Sequence, residues 1–132
     1  MIETIEVKTG GYLEFVDITA RVKQFVQRAG IDEGICVVYT PHTTAGITIN
    51  ENADPDVTED ITAFLKKNYP RESYFAHMEG NTPSHIMSSL FGASETLIIQ
   101  DGGVLLGRWQ GIYFCEFDGP RTRKVILKAL GG

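Results

Sequence analysis

The rhythm of this chain constrains its fold more than any other feature. Eight short runs of β-branched and aromatic residues are broken by only three stretches of helical period, and the two kinds do not alternate strictly. Ile2 to Val7, Tyr12 to Val16, Gly34 to Thr40 and Gly46 to Asn50 read as strands, as do Leu97 to Ile99, Val104 to Leu106, Gly111 to Phe117 and Lys124 to Leu127. Gly10-Gly11 predicts a two-residue hairpin turn between the first two. Ile18, Val22, Phe25, Val26 and Ala29 recur at three- and four-residue intervals, with Asp17 or Thr19 to cap the start and Gly30 to stop the helix. Asp54-Pro55-Asp56 opens a second helix with Val57, Ile61, Phe64 and Leu65 as its buried stripe, ended by Tyr69-Pro70. A shorter third helix runs from Thr82-Pro83 to Leu90, before Gly92. This order predicts an α+β fold, a mainly antiparallel β-sheet with two to three helices packed against it. No repeat or linker divides the chain, so residues 1–132 are expected to form a single domain.

Composition removes several function classes. Seventeen acidic against twelve basic residues give a net charge of −5, the wrong sign for neutralising phosphate backbones, so nucleic acid is not an expected partner. No apolar run approaches the roughly 20 residues that span a bilayer, and Met1-Ile2-Glu3-Thr4 begins no signal peptide, so no membrane partner and a cytoplasmic location are expected. Cys36 and Cys115 stand in apolar runs and read as buried free thiols rather than as a disulfide or a nucleophile.

The candidate chemistry begins with the three histidines, His42, His77 and His85, all outside the predicted strands and all among small polar residues. Three imidazoles can supply three corners of a tetrahedral zinc site with an open fourth position, the pattern of catalytic zinc. Spacing leaves equally open that they are ordinary polar histidines satisfied by backbone or solvent. Glu51 and Glu79 have no capping role and are the candidate general bases beside a metal-bound water, whereas Asp54 and Asp56 sit where a helix start favours acids for capping alone. The helix start at Thr82-Pro83-Ser84-His85, with Ser88 and Ser89 one turn on, would suit an anion. Glu116, inside the apolar strand from Gly111 to Phe117, is costly unless paired, and Arg108, Arg121 and Arg123 are the natural partners. The imperfect alternation of that strand predicts burial on both faces, as at a subunit interface.

The segments Thr40-Pro41-His42-Thr43-Thr44-Ala45-Gly46, Asn50 to Val57, His77-Met78-Glu79-Gly80-Asn81, Ser84 to Leu90 and Leu106 to Arg121 together resemble, in order and over essentially the whole chain, the YjbQ family, also labelled secondary thiamine-phosphate synthase. The resemblance implies an α+β fold assembled as a homotrimer, a metal-compatible histidine site near subunit contacts, and a weak capacity to form thiamine phosphate from its pyrimidine and thiazole phosphates. Carried over by position, it implies His42, His77 and His85 as metal ligands, with Glu51, Glu79 and His77 in catalysis. Thr43, Thr44, Asn52, Asp54, Asn81, Ser88 and Arg121 are then placed on the substrate.

Two readings follow. One is a small transferase-like enzyme that uses a divalent metal, zinc or magnesium, on a phosphorylated small molecule, with a zinc-dependent hydrolase as a variant. The other is a trimeric metal- or ligand-binding protein without turnover. Pyrophosphate chemistry favours Mg²⁺ held by carboxylates, whereas three histidines favour zinc, so the two implied features pull apart. A chain of this length has a radius of gyration of only about 14 Å, which favours a site at a junction between chains.

Overall fold

The computed structural model describes all 132 residues. Chain order is β1 (Ile2–Lys8), β2 (Glu14–Asp17), α1 (Thr19–Ala29), β3 (Gly34–Tyr39), β4 (Ala45–Glu51), α2 (Pro55–Asn68), α3 (Thr82–Phe91), β5 (Ser94–Gln100), β6 (Gly103–Val104), β7 (Gln110–Glu116) and β8 (Thr122–Gly131). The strands form two separate antiparallel sheets, one of five strands in the order β1-β8-β3-β5-β6 and one of three in the order β2-β7-β4. The expected α+β class holds, with two sheets in place of one.

The layers follow from alternation along β7. Ile112 and Phe114 point into a core shared with α1 (Val22, Phe25, Val26) and the inner face of the five-stranded sheet (Cys36, Val38, Leu97, Ile99, Val125, Leu127). Tyr113 and Cys115, with Phe117 just beyond the strand, point the other way, into a second cluster with Leu65 of α2 and Met87 of α3. The three-stranded sheet is therefore covered on both faces by its own chain. That corrects the expectation for this strand: its two-faced burial is intramolecular and requires no partner. The outer face of the five-stranded sheet has no such cover, and Ile2, Ile35, Tyr39, Ile98 and Leu130 are exposed along it.

Two local expectations also change. Gly10-Gly11 makes no hairpin: neither glycine has the positive φ that the tight turns require. β1 instead pairs along its whole length with β8, from Ile2↔Lys128 to Lys8↔Thr122, while β2 crosses to the other sheet beside β7. In α2, only Leu65 of the expected stripe is fully buried, and Phe64 is 59% exposed, because that helix covers only the smaller cluster. The start of α2 and the end of α1 are capped as the sequence indicates, whereas Ile18 and Asn81 precede α1 and α3 without a side-chain cap. Asp17 accepts from the backbone N–H and hydroxyl of Thr19 at 2.9 and 2.6 Å, Gly30 closes α1 in the left-handed region (φ 66°), and Asp54 accepts from the N–H of Asp56 at 2.9 Å. No helix is long and apolar enough to cross a membrane.

Candidate functional site

Three elements that end at the same edge of the molecule bring the histidines together. His42 lies in the turn between β3 and β4, His77 in the loop after α2, and His85 in the first turn of α3. They line one cleft of about 270 Å³, whose walls include Thr43, Thr44, Glu79 and Asn81 and, from the start of β8, Arg121 and Arg123. No hydrophobic residue contributes to the lining. The tight turn that brings in His77 and Glu79 is closed by the Gly80 N–H donating to the His77 carbonyl at 3.1 Å, with Gly80 at φ 73° and Met78 left almost wholly in solvent. The rings of His77 and His85 meet edge to face, 5.2 Å between centroids.

Of the residues expected at the site, four lie elsewhere within the chain. β4 runs extended from Ala45 to Glu51, and six residue steps of about 3.3 Å carry Glu51 roughly 20 Å from the His42 turn. Asn52 lies beyond it, donating to Asp17 at 3.2 Å, and Asp54 caps α2. Ser88 donates to the Ala45 carbonyl at 2.7 Å and Ser84 to the Phe117 carbonyl at 2.6 Å, so these hydroxyls tie α3 to the small sheet. The amides of Ser84 and His85 both donate to the Asn81 carbonyl, so they do not point outward at an anion.

The floor of the cleft is a buried ion pair. Arg123, 2% exposed, donates from Nε to Glu116 Oε1 at 2.8 Å and from Nη2 to Glu116 Oε2, and Nη2 also reaches Thr44 Oγ1 at 2.9 Å and the Thr44 carbonyl at 3.2 Å. Glu116 is completed by the Thr9 hydroxyl at 2.7 Å and the Asp118 N–H at 3.0 Å. Burial alone would raise this carboxyl, but the hydrogen bonds from Arg123, Thr9 and Asp118 and the guanidinium charge outweigh it and hold the group below its ordinary range. Glu116 thus finds its partner in one of the three arginines the sequence offered. At the rim, Asp118 Oδ2 accepts from Arg121 Nη2 and Asn81 Nδ2, each at 2.9 Å. Asn81 Oδ1 is the one buried side-chain polar atom without a partner.

His42 is held by its own ring: Nε2 accepts the N–H of Lys124 at 2.9 Å. Burial, and then the charges of Arg123, Arg121 and Lys124 against that of Glu116, lower its proton affinity and favour the neutral ring. With the Nε2 lone pair engaged, the ring proton sits on Nδ1, and His42 faces outward as a donor. The three-histidine metal centre expected from the sequence is accordingly not assembled within the chain, and no group of three or more histidine, cysteine or acidic side chains is placed to hold a metal ion. The cysteines supply no alternative chemistry: both are buried and unpaired, burial pushes the Cys36 thiol up to about 11, and burial followed by the Glu95 charge raises Cys115 as well.

Comparison with known proteins places this arrangement. The family model described as UPF0047 protein YjbQ-like matches residues 3–132. The UPF0047 protein YugU of Bacillus subtilis is 52% identical over 132 residues, covering 99% of this chain and 100% of the relative. A UPF0047 protein of Methanocaldococcus jannaschii is 51% identical over 131 residues, 99% of this chain and 95% of its own. Among solved structures, a YjbQ/UPF0047 protein of Clostridium acetobutylicum superposes with a TM-score of 0.94 at 52% identity, covering 97% of this chain and 99% of that one. A YbjQ-like protein of Sulfolobus solfataricus gives the same TM-score at 32% identity, covering 100% of this chain and 97% of that one. With the match running through both sheets, all three helices and the histidine cleft, the chain belongs to the YjbQ (UPF0047) family.

Proposed function

We propose that this protein is a small enzyme acting on a phosphorylated small molecule, with the phosphate end of the substrate in the histidine cleft. The observation that carries this reading is the lining itself: three imidazoles and two guanidiniums in one cleft without an apolar wall. Small-molecule sites are usually mostly apolar, so a wholly polar one recognises charge rather than a ring or an alkyl chain. Guanidinium and imidazole donors suit phosphate oxygens, and the His77–His85 pair supplies side chains of the type that serves as general acid and base toward a departing oxygen. In such a step a nucleophile donates its lone pair to carbon, the bond from that carbon to the bridging oxygen breaks, and the oxygen leaves with the electron pair. The charge gathering on the phosphate is met by Arg121 and Arg123. Thiamine-phosphate synthesis, in which pyrophosphate leaves and the thiazole nitrogen donates its lone pair to the new C–N bond, belongs to this class.

Assembly as a homotrimer is part of the same proposal. The exposed apolar row on the outer face of the five-stranded sheet supports it as surface that assembly can bury, with this face of each copy set against a different face of the next, as a three-fold ring requires. Release of phosphate or pyrophosphate from a panel of small phosphorylated compounds, measured with and without added Zn²⁺ or Mg²⁺, tests the enzymatic reading. Turnover that falls at least about a hundredfold in His85→Ala, in line with the loss of a general acid–base group, is the expected result. Retained binding of the compounds with no release from any of them would instead establish the non-catalytic binding protein.

A further inference from the structure

Among the donors that the chain itself leaves unused in the cleft, two are fixed in place by contacts behind them. The guanidinium of Arg123 is turned edge-on to Glu116, which occupies Nε and Nη2, and Thr44 takes the remaining capacity of Nη2. Nη1 has no acceptor in the chain, yet it is not a sealed atom, since Asn81 Oδ1 alone is both buried and unpartnered. His42 is pinned from behind by the Lys124 N–H, which leaves its Nδ1–H as the free end of the ring. Lys124 is the residue after Arg123, so one stretch of β8 orients both groups.

We infer, on the basis of the phosphate reading above, that Arg123 Nη1 and His42 Nδ1–H together form a metal-independent receptor for a terminal phosphate, and that Glu116 is the positioning residue that aims the guanidinium. The receptor is preorganised. A buried carboxylate bonded on both oxygens fixes the guanidinium plane, so binding an oxyanion freezes little that is not already frozen. With Nε2 accepting the Lys124 N–H, the His42 ring can donate to a ligand only from Nδ1. The same geometry removes His42 from any metal, because the Nε2 lone pair is spent and Nδ1 carries the proton. Selectivity follows from the absence of apolar lining: the receptor grips the phosphate and leaves the body of the substrate outside, so a phosphate monoester binds and an uncharged analogue does not.

Calorimetric titration of the full chain with inorganic phosphate, in the presence of a chelator, tests the inference. Two His42 variants separate the nitrogens. His42→Asn keeps an amide N–H at the position of Nδ1 but loses the contact from Lys124, and is expected to bind phosphate more weakly than the parent and more tightly than His42→Gln. His42→Gln puts its amide at the position of Nε2 and is expected to bind about tenfold or more weakly, the loss of one strong hydrogen bond. Arg123→Lys, which keeps the charge beside Glu116 but has no Nη1, is expected to lose at least as much, with its thermal melt recorded alongside. Equal binding by the parent, His42→Gln and a folded Arg123→Lys would overturn the inference and leave the phosphate reading standing. Binding that appears only on addition of Zn²⁺ or Mg²⁺ would also overturn it, in favour of a metal-held phosphate. No binding of phosphate by the parent under either condition would overturn the phosphate reading itself.

Discussion

Glu116 is an acid in the most apolar strand of the chain, and it is tolerable there because four donors surround it. Removing one member of a buried pair strands the other charge, so Glu116→Gln is expected to lower unfolding stability by about 3–5 kcal/mol in urea titration at neutral pH. The pH dependence has a definite sign. The carboxyl is held below its ordinary value of 4.5 in the folded chain, so its contribution is complete above that pH and is lost as pH falls through the lower folded value. The parent should therefore lose stability on acidification below about pH 4.5, whereas Glu116→Gln should lose less over the same interval. That this acid needed an arginine was legible in the strand pattern. That its arginine forms the floor of the histidine cleft was not, because Arg123 reaches Thr44 across 79 positions of sequence. Glu51, Asn52 and Asp54 lie apart from the histidines within the chain for the converse reason. Nearness in sequence to His42 means little when the intervening residues are an extended strand.

At the scale of elements, the three helices and eight strands were legible because each carries its own period or its own punctuation. Asp54-Pro55 starts α2 and Gly30 ends α1 by purely local chemistry. Asp54→Ala is accordingly expected to cost about 1 kcal/mol, the usual worth of a side-chain cap, in thermal or urea unfolding. Strand partners were not legible in the same way. Gly10-Gly11 looks like a hairpin signal to a local reading, but β1 gains a seven-residue ladder with β8, and the glycines serve as a crossing between sheets. β7 shows the same limit: its sequence announces burial on both faces, and only the assembled layers show that α2 and α3 supply the second cover.

For the whole molecule, the uncovered face of the five-stranded sheet leaves a row of apolar side chains on the surface, and the proposed trimer would bury it. Ile98 stands at one end of that row, on β5 opposite Ile35 of β3, and is 56% exposed. Ile98→Asp is expected to shift the protein to monomers in light scattering after size-exclusion chromatography, with the fold retained by circular dichroism; an unshifted trimer would place the contacts on another face. The order of strands in this sheet has one more consequence. β8 is the last strand to be synthesised, yet it lies between β1 and β3, and it carries the arginine of the cleft floor. During translation β1 therefore has no neighbour, and the cleft no base, until residues 122–131 are made. Folding of the larger sheet must then close long loops after synthesis of all its other strands, the situation in which non-local strand pairing is slow and half-made chains depend most on being shielded from one another.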